Sequence, residues 1–172
     1  QDEDLPQLAK VRAECDRYGM PLIVWAYPRG EAVEAKGGKE CSYMIESAVR
    51  MAVEMGATVI KANLPVATKV AGYFENKEVP EYYRRVEKDL QGMEAKSQKW
   101  ERAKRVVAAA QGVPVLFSGG DKVSDEELDE NVNACLDAGC FGFIFGRNMW
   151  KRDEAKALEL SEKFQEMLDK SV

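Results

Sequence analysis

Four times along this chain a glycine closes a helical stretch and a short apolar run follows. Gly19 precedes Met20 to Tyr27 (MPLIVWAY), Gly56 precedes Thr58 to Ala62, Gly112 precedes Val113 to Ser118, and Gly139 precedes Cys140 to Phe145. Short apolar runs bounded by turn residues suit the buried strands of a parallel sheet. Between them the period changes to that of helices. Leu5 to Tyr18 reads as a helix, as does Ser42 to Met55, with Met44, Ile45, Ala48, Met51, Ala52 and Met55 on one face. Pro80 opens a charged helical segment that breaks near Gly92 and resumes through Trp100, Ala103, Val106, Val107 and Ala110. Ser124 with Glu127 forms a capping box for a helix running to Ala138. Asp153 caps a final helix whose stripe is Ala157, Leu160, Phe164 and Met167. Residues 31–39, polar and glycine-rich, read as a loop, and residues 63–80 as a long irregular link of the kind that carries function or mobility. Strands that alternate with helices in this way predict an α/β fold with a parallel sheet.

Chain length then limits the closure of that sheet. A complete eight-stranded (β/α) TIM barrel usually needs about 250 residues and rarely fewer than about 200. This chain has 172. Four β/α units make a half-barrel whose first and last strands are open, apolar edges, a pairing liability. The expectation is one (β/α) domain over residues 1–172, incomplete at its N-terminus, with a missing N-terminal half or a partner chain completing the barrel. The start, Gln1-Asp2-Glu3-Asp4, lacks an initiator methionine and reads as a processed chain or a fragment.

The composition removes several function classes. Net charge is -5, which argues against nucleic acid or an anionic membrane as the partner of the whole molecule. The chain has no histidine. Histidine triads, most zinc chemistry and histidine acid/base catalysis are therefore excluded, and no metal is expected. Cys15, Cys41, Cys135 and Cys140 are scattered without a CxxC pair, as suits reduced thiols in a cytoplasmic protein. Nothing resembles a signal peptide or a membrane span.

Lys61 stands out against this background. It ends the run Ala57-Thr58-Val59-Ile60 and precedes the Asn63-Leu64-Pro65 turn. Ligands bind at the C-terminal ends of parallel strands, and a lysine held there by apolar walls loses solvation and becomes a nucleophilic amine. The alternative is a lysine that snorkels to solvent or pairs with a carboxylate. Trp25 and Tyr27 share one strand face by period two, so Trp25 can wall the lysine from water and Tyr27 can offer a phenolic proton. Equally, they can be core aromatics at a strand end. Ser118-Gly119-Gly120 and Gly146-Arg147 follow the third and fourth runs. Glycine turns bare backbone N–H groups that can cradle a phosphate, to which Arg147 would add charge; they can also be ordinary tight turns. The charged segment from Glu81 to Arg105 reads as a solvated face, with Tyr82, Tyr83 and Trp100 packing inward or onto a neighbouring subunit.

Four stretches together resemble a known family: MPLIVWAYPRG (20–30), GATVIKANLP (56–65), VPVLFSGGDK (113–122) and GCFGFIFGRNMWKR (139–152). In order and spacing they are similar to the C-terminal half of the archaeal-type class I fructose-1,6-bisphosphate aldolases, the DhnA-like group. The resemblance implies the last four β/α units of a TIM barrel. It implies a Schiff-base lysine at Lys61, a proton-relaying tyrosine at Tyr27 and an active-site tryptophan at Trp25. The phosphate site falls on Ser118, Gly119, Gly120, Gly146 and Arg147. It further implies a phosphorylated sugar substrate, no cofactor, and a homo-oligomer. The family's first-strand aspartate has no counterpart in these residues, and the link after Lys61 is longer and more charged than in compact archaeal members. Other lysine-dependent members resemble the chain around the same motifs: a transaldolase-like enzyme of the archaeal aromatic pathway, and a thiolase-like enzyme that processes a phosphorylated autoinducer. A non-catalytic half-barrel that binds phosphorylated ligands is the alternative from another class.

Overall fold

Side-chain parity along four short strands sorts this molecule into two faces. The computed structural model describes residues 3–171; Gln1 and Asp2, which belong to the start read as a processed chain or fragment, lie outside the described residues. Strands β1 (Ile23–Trp25), β2 (Val59–Asn63), β3 (Val115–Ser118) and β4 (Gly142–Ile144) lie side by side in chain order, and all are parallel. One parity, Ile60 and Ala62 of β2 with Val115 and Phe117 of β3, is almost fully buried against helices. Ile60, Val115 and Phe117 each contribute about 1.5–3 kcal/mol by leaving water. The opposite parity carries Trp25, Lys61, Leu116 and Ser118, with Ile23 and Trp25 exposed.

The covering helices are α3 (Ser42–Glu54), α5 (Ala95–Ala109) and α6 (Asp125–Asp137). Ile45, Val49 and Ala52 of α3 meet Ala103 and Val106 of α5 and Cys135 of α6 in one core with the strands. The expected stripe of α3 is offset: Val49 is fully buried, whereas Met51 is only half-buried. A second cluster joins Leu128 and Val132 of α6 to Leu160 and Phe164 of α8 (Glu154–Ser171), under Phe143 and Phe145. The Ser124 and Asp153 caps form, the predicted capping box by its serine arm alone. Ser124 Oγ accepts from the Glu127 N–H at 3.1 Å, and Asp153 Oδ1 accepts from the Lys156 N–H at 3.0 Å. Gly56 follows α3 at φ +80°, and the Arg12 guanidinium of α1 (Asp4–Tyr18) lies where any Cβ would stand. The left-handed φ is what favours glycine there; the Arg12 side chain is half exposed and could swing aside.

Three expectations change. The run from Met20 to Tyr27 is a strand only over Ile23–Trp25. Pro21 has no N–H to donate. The Leu22 backbone is tied at both ends to the Thr58 hydroxyl, and beyond Trp25 the Tyr27 N–H folds back to the Trp25 carbonyl at 2.9 Å. Residues 31–39 are not all loop: Glu31–Ala35 form the short helix α2, since Glu-Ala-Val-Glu-Ala contains good helix formers and the glycines come only afterwards, at Gly37 and Gly38. The charged segment is not uniformly solvated. In α4 (Glu81–Gln91) and α5, Glu87 and Arg102 are each 1% exposed and paired, with both guanidinium contacts at 2.9 Å. Tyr83 packs inward on Tyr43, with ring centres 4.6 Å apart, while Tyr82 stays half exposed.

The long link holds together through polar contacts rather than regular structure. Thr68 Oγ1 donates to the Gly37 carbonyl at 2.8 Å, Asn76 Nδ2 to the Ala35 carbonyl at 3.0 Å, and Glu87 Oε1 accepts from the Thr68 N–H at 3.1 Å. The loops after β1 and β2 thus form one unit, anchored on the buried Arg102–Glu87 pair. No helix among the described residues is long and apolar enough to cross a membrane.

Candidate active site

β2 delivers Lys61 to the face away from the helices, because its neighbours Ile60 and Ala62 take the core side. Lys61 pairs in register with Trp25 on β1 and with Leu116 on β3. The residue is only 8% exposed. Its Nζ stands 3.7 Å from the centre of the Trp25 ring and 5.7 Å from that of Tyr27, and no carboxylate pairs with it among the described residues. Snorkelling and ion pairing, the two ordinary fates of a lysine, are both absent. The Trp25 and Tyr27 ring centres are 5.9 Å apart. Arg29 lies over Tyr27, with Cζ 5.5 Å from the ring centre. Trp25 itself is 62% exposed, because β1 is an edge strand with no neighbour on its far side.

The strand register continues to the first glycine corner. Asn63 pairs with Ser118, and the Ser118 hydroxyl donates to Asn63 Oδ1. Beyond Ser118 the chain turns through Gly119 and Gly120, the latter at φ +61°. The second corner begins at Gly146, after β4, and leads into the four-residue helix α7 (Arg147–Trp150). A Cβ on Gly146 would come within 2.8 Å of the Trp150 ring, so the turn is packed rather than open. Among the described residues no protein acceptor takes the N–H groups of Gly119, Gly120 or Gly146. Arg147 reaches across to Asp121, its guanidinium donating to that carboxylate.

The structure therefore brings Lys61, Trp25 and Tyr27 together, and separately brings Ser118, Gly119, Gly120, Gly146 and Arg147 to adjacent strand ends on the same rim of the sheet. Ser118 bonded to Asn63, two residues beyond Lys61 on β2, bridges the two groups. Sequence reasoning missed three residues. Asn63 shares the parity of Lys61, so the period-two rule could have found it. Asp121 directly follows the glycine pair. Asn148 carries no local signal: it is completely buried, and its partners lie 25 to 29 residues away. Among the described residues no group of three or more histidine, cysteine, aspartate or glutamate side chains is placed to hold a metal.

The chain is similar to known aldolases in sequence and in fold. The family model for DeoC/LacD family aldolases matches residues 1–152. A class 1 fructose-bisphosphate aldolase of Thermoproteus tenax is 30% identical over 150 residues, covering 87% of this chain and 44% of that protein. A 2-amino-3,7-dideoxy-D-threo-hept-6-ulosonate synthase of Halobacterium salinarum is 28% identical over 149 residues, covering 87% of this chain and 42% of that protein. Among solved structures, that of an archaeal fructose-1,6-bisphosphate aldolase with its catalytic lysine bound covalently to a carbinolamine intermediate superposes with a TM-score of 0.68 at 25% identity. The overlay covers 95% of this chain and 51% of that one. The chain thus spans about half the length of the curated relatives it matches, and its four parallel strands are a half-barrel of the TIM type.

Proposed function

The chain belongs to the DeoC/LacD aldolase family, and from that premise we propose that it carries the Schiff-base half of a class I aldolase. The substrate on this reading is fructose 1,6-bisphosphate, cleaved reversibly to dihydroxyacetone phosphate and glyceraldehyde 3-phosphate. The observation that carries the proposal is Lys61, buried on the sheet's open face with its Nζ 3.7 Å from the Trp25 ring and no counter-ion among the described residues. The similarity to a class 1 fructose-bisphosphate aldolase supports the choice of substrate.

The chemistry follows from the groups at hand. The free amine of Lys61 adds to the ketone carbon, giving a carbinolamine. Loss of water leaves a protonated iminium, which draws the C3–C4 bonding electrons as that bond breaks and the C4 hydroxyl gives up its proton, so that the aldehyde leaves and an enamine remains. Protonation of the enamine carbon and addition of water then release dihydroxyacetone phosphate and free the lysine. Tyr27 relays protons at the carbinolamine and enamine steps, as its ring beside Lys61 allows. Trp25 walls the amine. Ser118, Gly119, Gly120, Gly146 and Arg147 hold one phosphate and so fix the ketone near Lys61. The scheme uses neither metal nor cofactor.

The similarity to the heptulosonate synthase supports a second reading, another lysine-dependent condensation at the same site. Turnover of fructose 1,6-bisphosphate against the rival substrates separates the two. Both readings need more strands. Ile23 and Trp25 are 46% and 62% exposed at the β1 edge and Phe141 is 66% exposed beside β4, as strand ends awaiting neighbours would be. On this proposal residues 1–172 are part of one (β/α) domain, and further strands, from the same polypeptide or a second chain, close the barrel and bring the missing acidic residue. The complete protein is expected to be a cytoplasmic homo-oligomer. Borohydride reduction with dihydroxyacetone phosphate, followed by peptide mass analysis, tests the central step. A reduced adduct on Lys61 is expected, and its absence from the completed barrel rejects the scheme.

A further inference from the structure

The β3–β4 ladder ends at the pair Ser118 and Ile144, and past it no backbone hydrogen bond joins residues 119–124 to residues 145–150 among the described residues. One side chain does most of that joining. Asn148, 0% exposed, donates from Nδ2 to the Gly119 carbonyl at 2.6 Å and to the Asp121 carbonyl at 2.9 Å. Its Oδ1 accepts from the Val123 N–H at 3.0 Å. Both amide hydrogens and the carbonyl oxygen are therefore committed to a single turn. Gly119 is matched to this: a Cβ there would stand 2.8 Å from Asn148 Nδ2 and 2.7 Å from the Phe145 ring. Aspartate would set a carboxylate against two carbonyl oxygens, and an apolar residue would deprive three part-buried backbone groups of their partner.

From this arrangement we infer that Asn148 is the positioning residue that holds the two glycine corners in register, so that N–H groups from both converge on one phosphate. The inference rests on the phosphate site proposed above and deepens it. Asn148 touches no substrate atom. It fixes the Gly119–Asp121 turn against Gly146 and Arg147, two and one residues ahead of it in the chain. Without it each corner remains a turn, but the distance between them is no longer set, and a bound phosphate loses the contacts of one side.

Two measurements on the completed barrel test this. The first titrates inorganic phosphate and follows the amide resonances of Gly119, Gly120 and Gly146. In the wild type all three are expected to shift together, with one dissociation constant. In Asn148→Ala and Asn148→Asp that constant is expected to rise at least tenfold, with the thermal transition still present. The second measures borohydride trapping on Lys61 with dihydroxyacetone phosphate and with dihydroxyacetone. The half-saturating concentration of the phosphorylated ketone is expected to rise about tenfold in Asn148→Ala, while that of the unphosphorylated ketone stays unchanged. Gly119→Ala, which pushes the amide aside, is expected to show the same split. Equal losses for both ketones, unchanged phosphate binding, no phosphate-induced shift in the wild type, or loss of the thermal transition in all three variants would each overturn the inference. A wild type that binds phosphate at these amides but traps neither ketone rejects the Schiff-base reading and leaves the role of Asn148 to the titration.

Discussion

Lys61 Nζ lies 3.7 Å from the centre of the Trp25 ring, although the two residues are 36 positions apart and meet only through the β1–β2 register. The electron-rich face of an indole favours a cation. Ammonium and protonated iminium carry the same charge, so the ring does not by itself bias one over the other. On the proposed mechanism the ring occupies the space from which water would hydrolyse the iminium. Trp25→Ala is therefore expected to lower the yield of borohydride-trapped adduct about tenfold, about 1.4 kcal/mol. Trp25→Phe keeps a wall and should stay within about threefold of the wild type. Equal yields from Trp25→Ala and the wild type would show that the indole does not shield the amine.

Asp121 supplies an anion of its own at the glycine corners. Its carboxylate receives the Arg147 guanidinium, the group proposed to meet the substrate phosphate. Phosphate must displace this carboxylate, and the two negative charges then repel at close range. Removing the charge while keeping the shape isolates that effect. Asp121→Asn is expected to tighten binding of inorganic phosphate about three- to tenfold, most clearly at low ionic strength because both side chains are well exposed. Phosphate binding that weakens in Asp121→Asn instead would mean that Asp121 orients Arg147 rather than competing for it.

The parts of this site that the sequence reveals are those governed by local periodicity. Lys61, Trp25 and Tyr27 are each placed by alternation along a strand, and the glycine corners by where apolar runs stop. What stayed hidden depends on distant partners. Glu87 and Arg102 sit among so many charges that each reads as surface, and the packing of α4 on α5, with α3 and the link around the pair, buries them. Asn148 looks like a residue of an exposed turn until β4 returns beside β3. The shortness of β1 was hidden for a related reason: its start is set by a hydroxyl, that of Thr58, 36 residues further on. The Gly37–Gly38 pair drew attention to a loop and hid the helix-forming residues just before it.

The Arg102–Glu87 pair makes the loop unit sensitive to one substitution. Arg102 also donates to Ser42 Oγ at 2.6 Å, tying the start of α3 to the pair. Glu87→Ala would leave a guanidinium buried without its counter-ion, which costs about 3–5 kcal/mol. The exposed pair Arg50–Glu54, with a contact of 2.8 Å, is the control: Glu54→Ala should change stability by no more than about 1 kcal/mol. Chemical denaturation compares the two. Replacing both Arg102 and Glu87 by methionine should recover most of the loss, since no charge is then stranded. A Glu87→Ala variant as stable as Glu54→Ala would mean that water reaches Arg102 and that the link is not anchored there.

Buried thiols set the alkaline limit of the fold. Cys41 is 2% exposed, and burial, aided by the nearby Glu87 carboxylate, pushes its thiol up to about 11. Burial likewise raises Cys140 to about 11 and the Tyr83 phenol to about 12. Each group keeps its proton in the native state at a pH where the unfolded chain has released it. The contribution to stability is therefore full below the unfolded thiol value of about 8.5 and is lost as pH rises through about 11. For Cys41 alone the loss is on the order of 3 kcal/mol. Guanidinium unfolding followed between pH 6 and 11 is expected to give a plateau up to about pH 8.5 and a steady decline above it. Cys41→Ala should be less stable at neutral pH, because it leaves a cavity beside Tyr73, but should decline less steeply above pH 9, since one titrating group is gone. Parallel declines in the two proteins would mean that Cys41 ionises as freely in the native state as in the unfolded chain, and that the loop unit above it admits solvent.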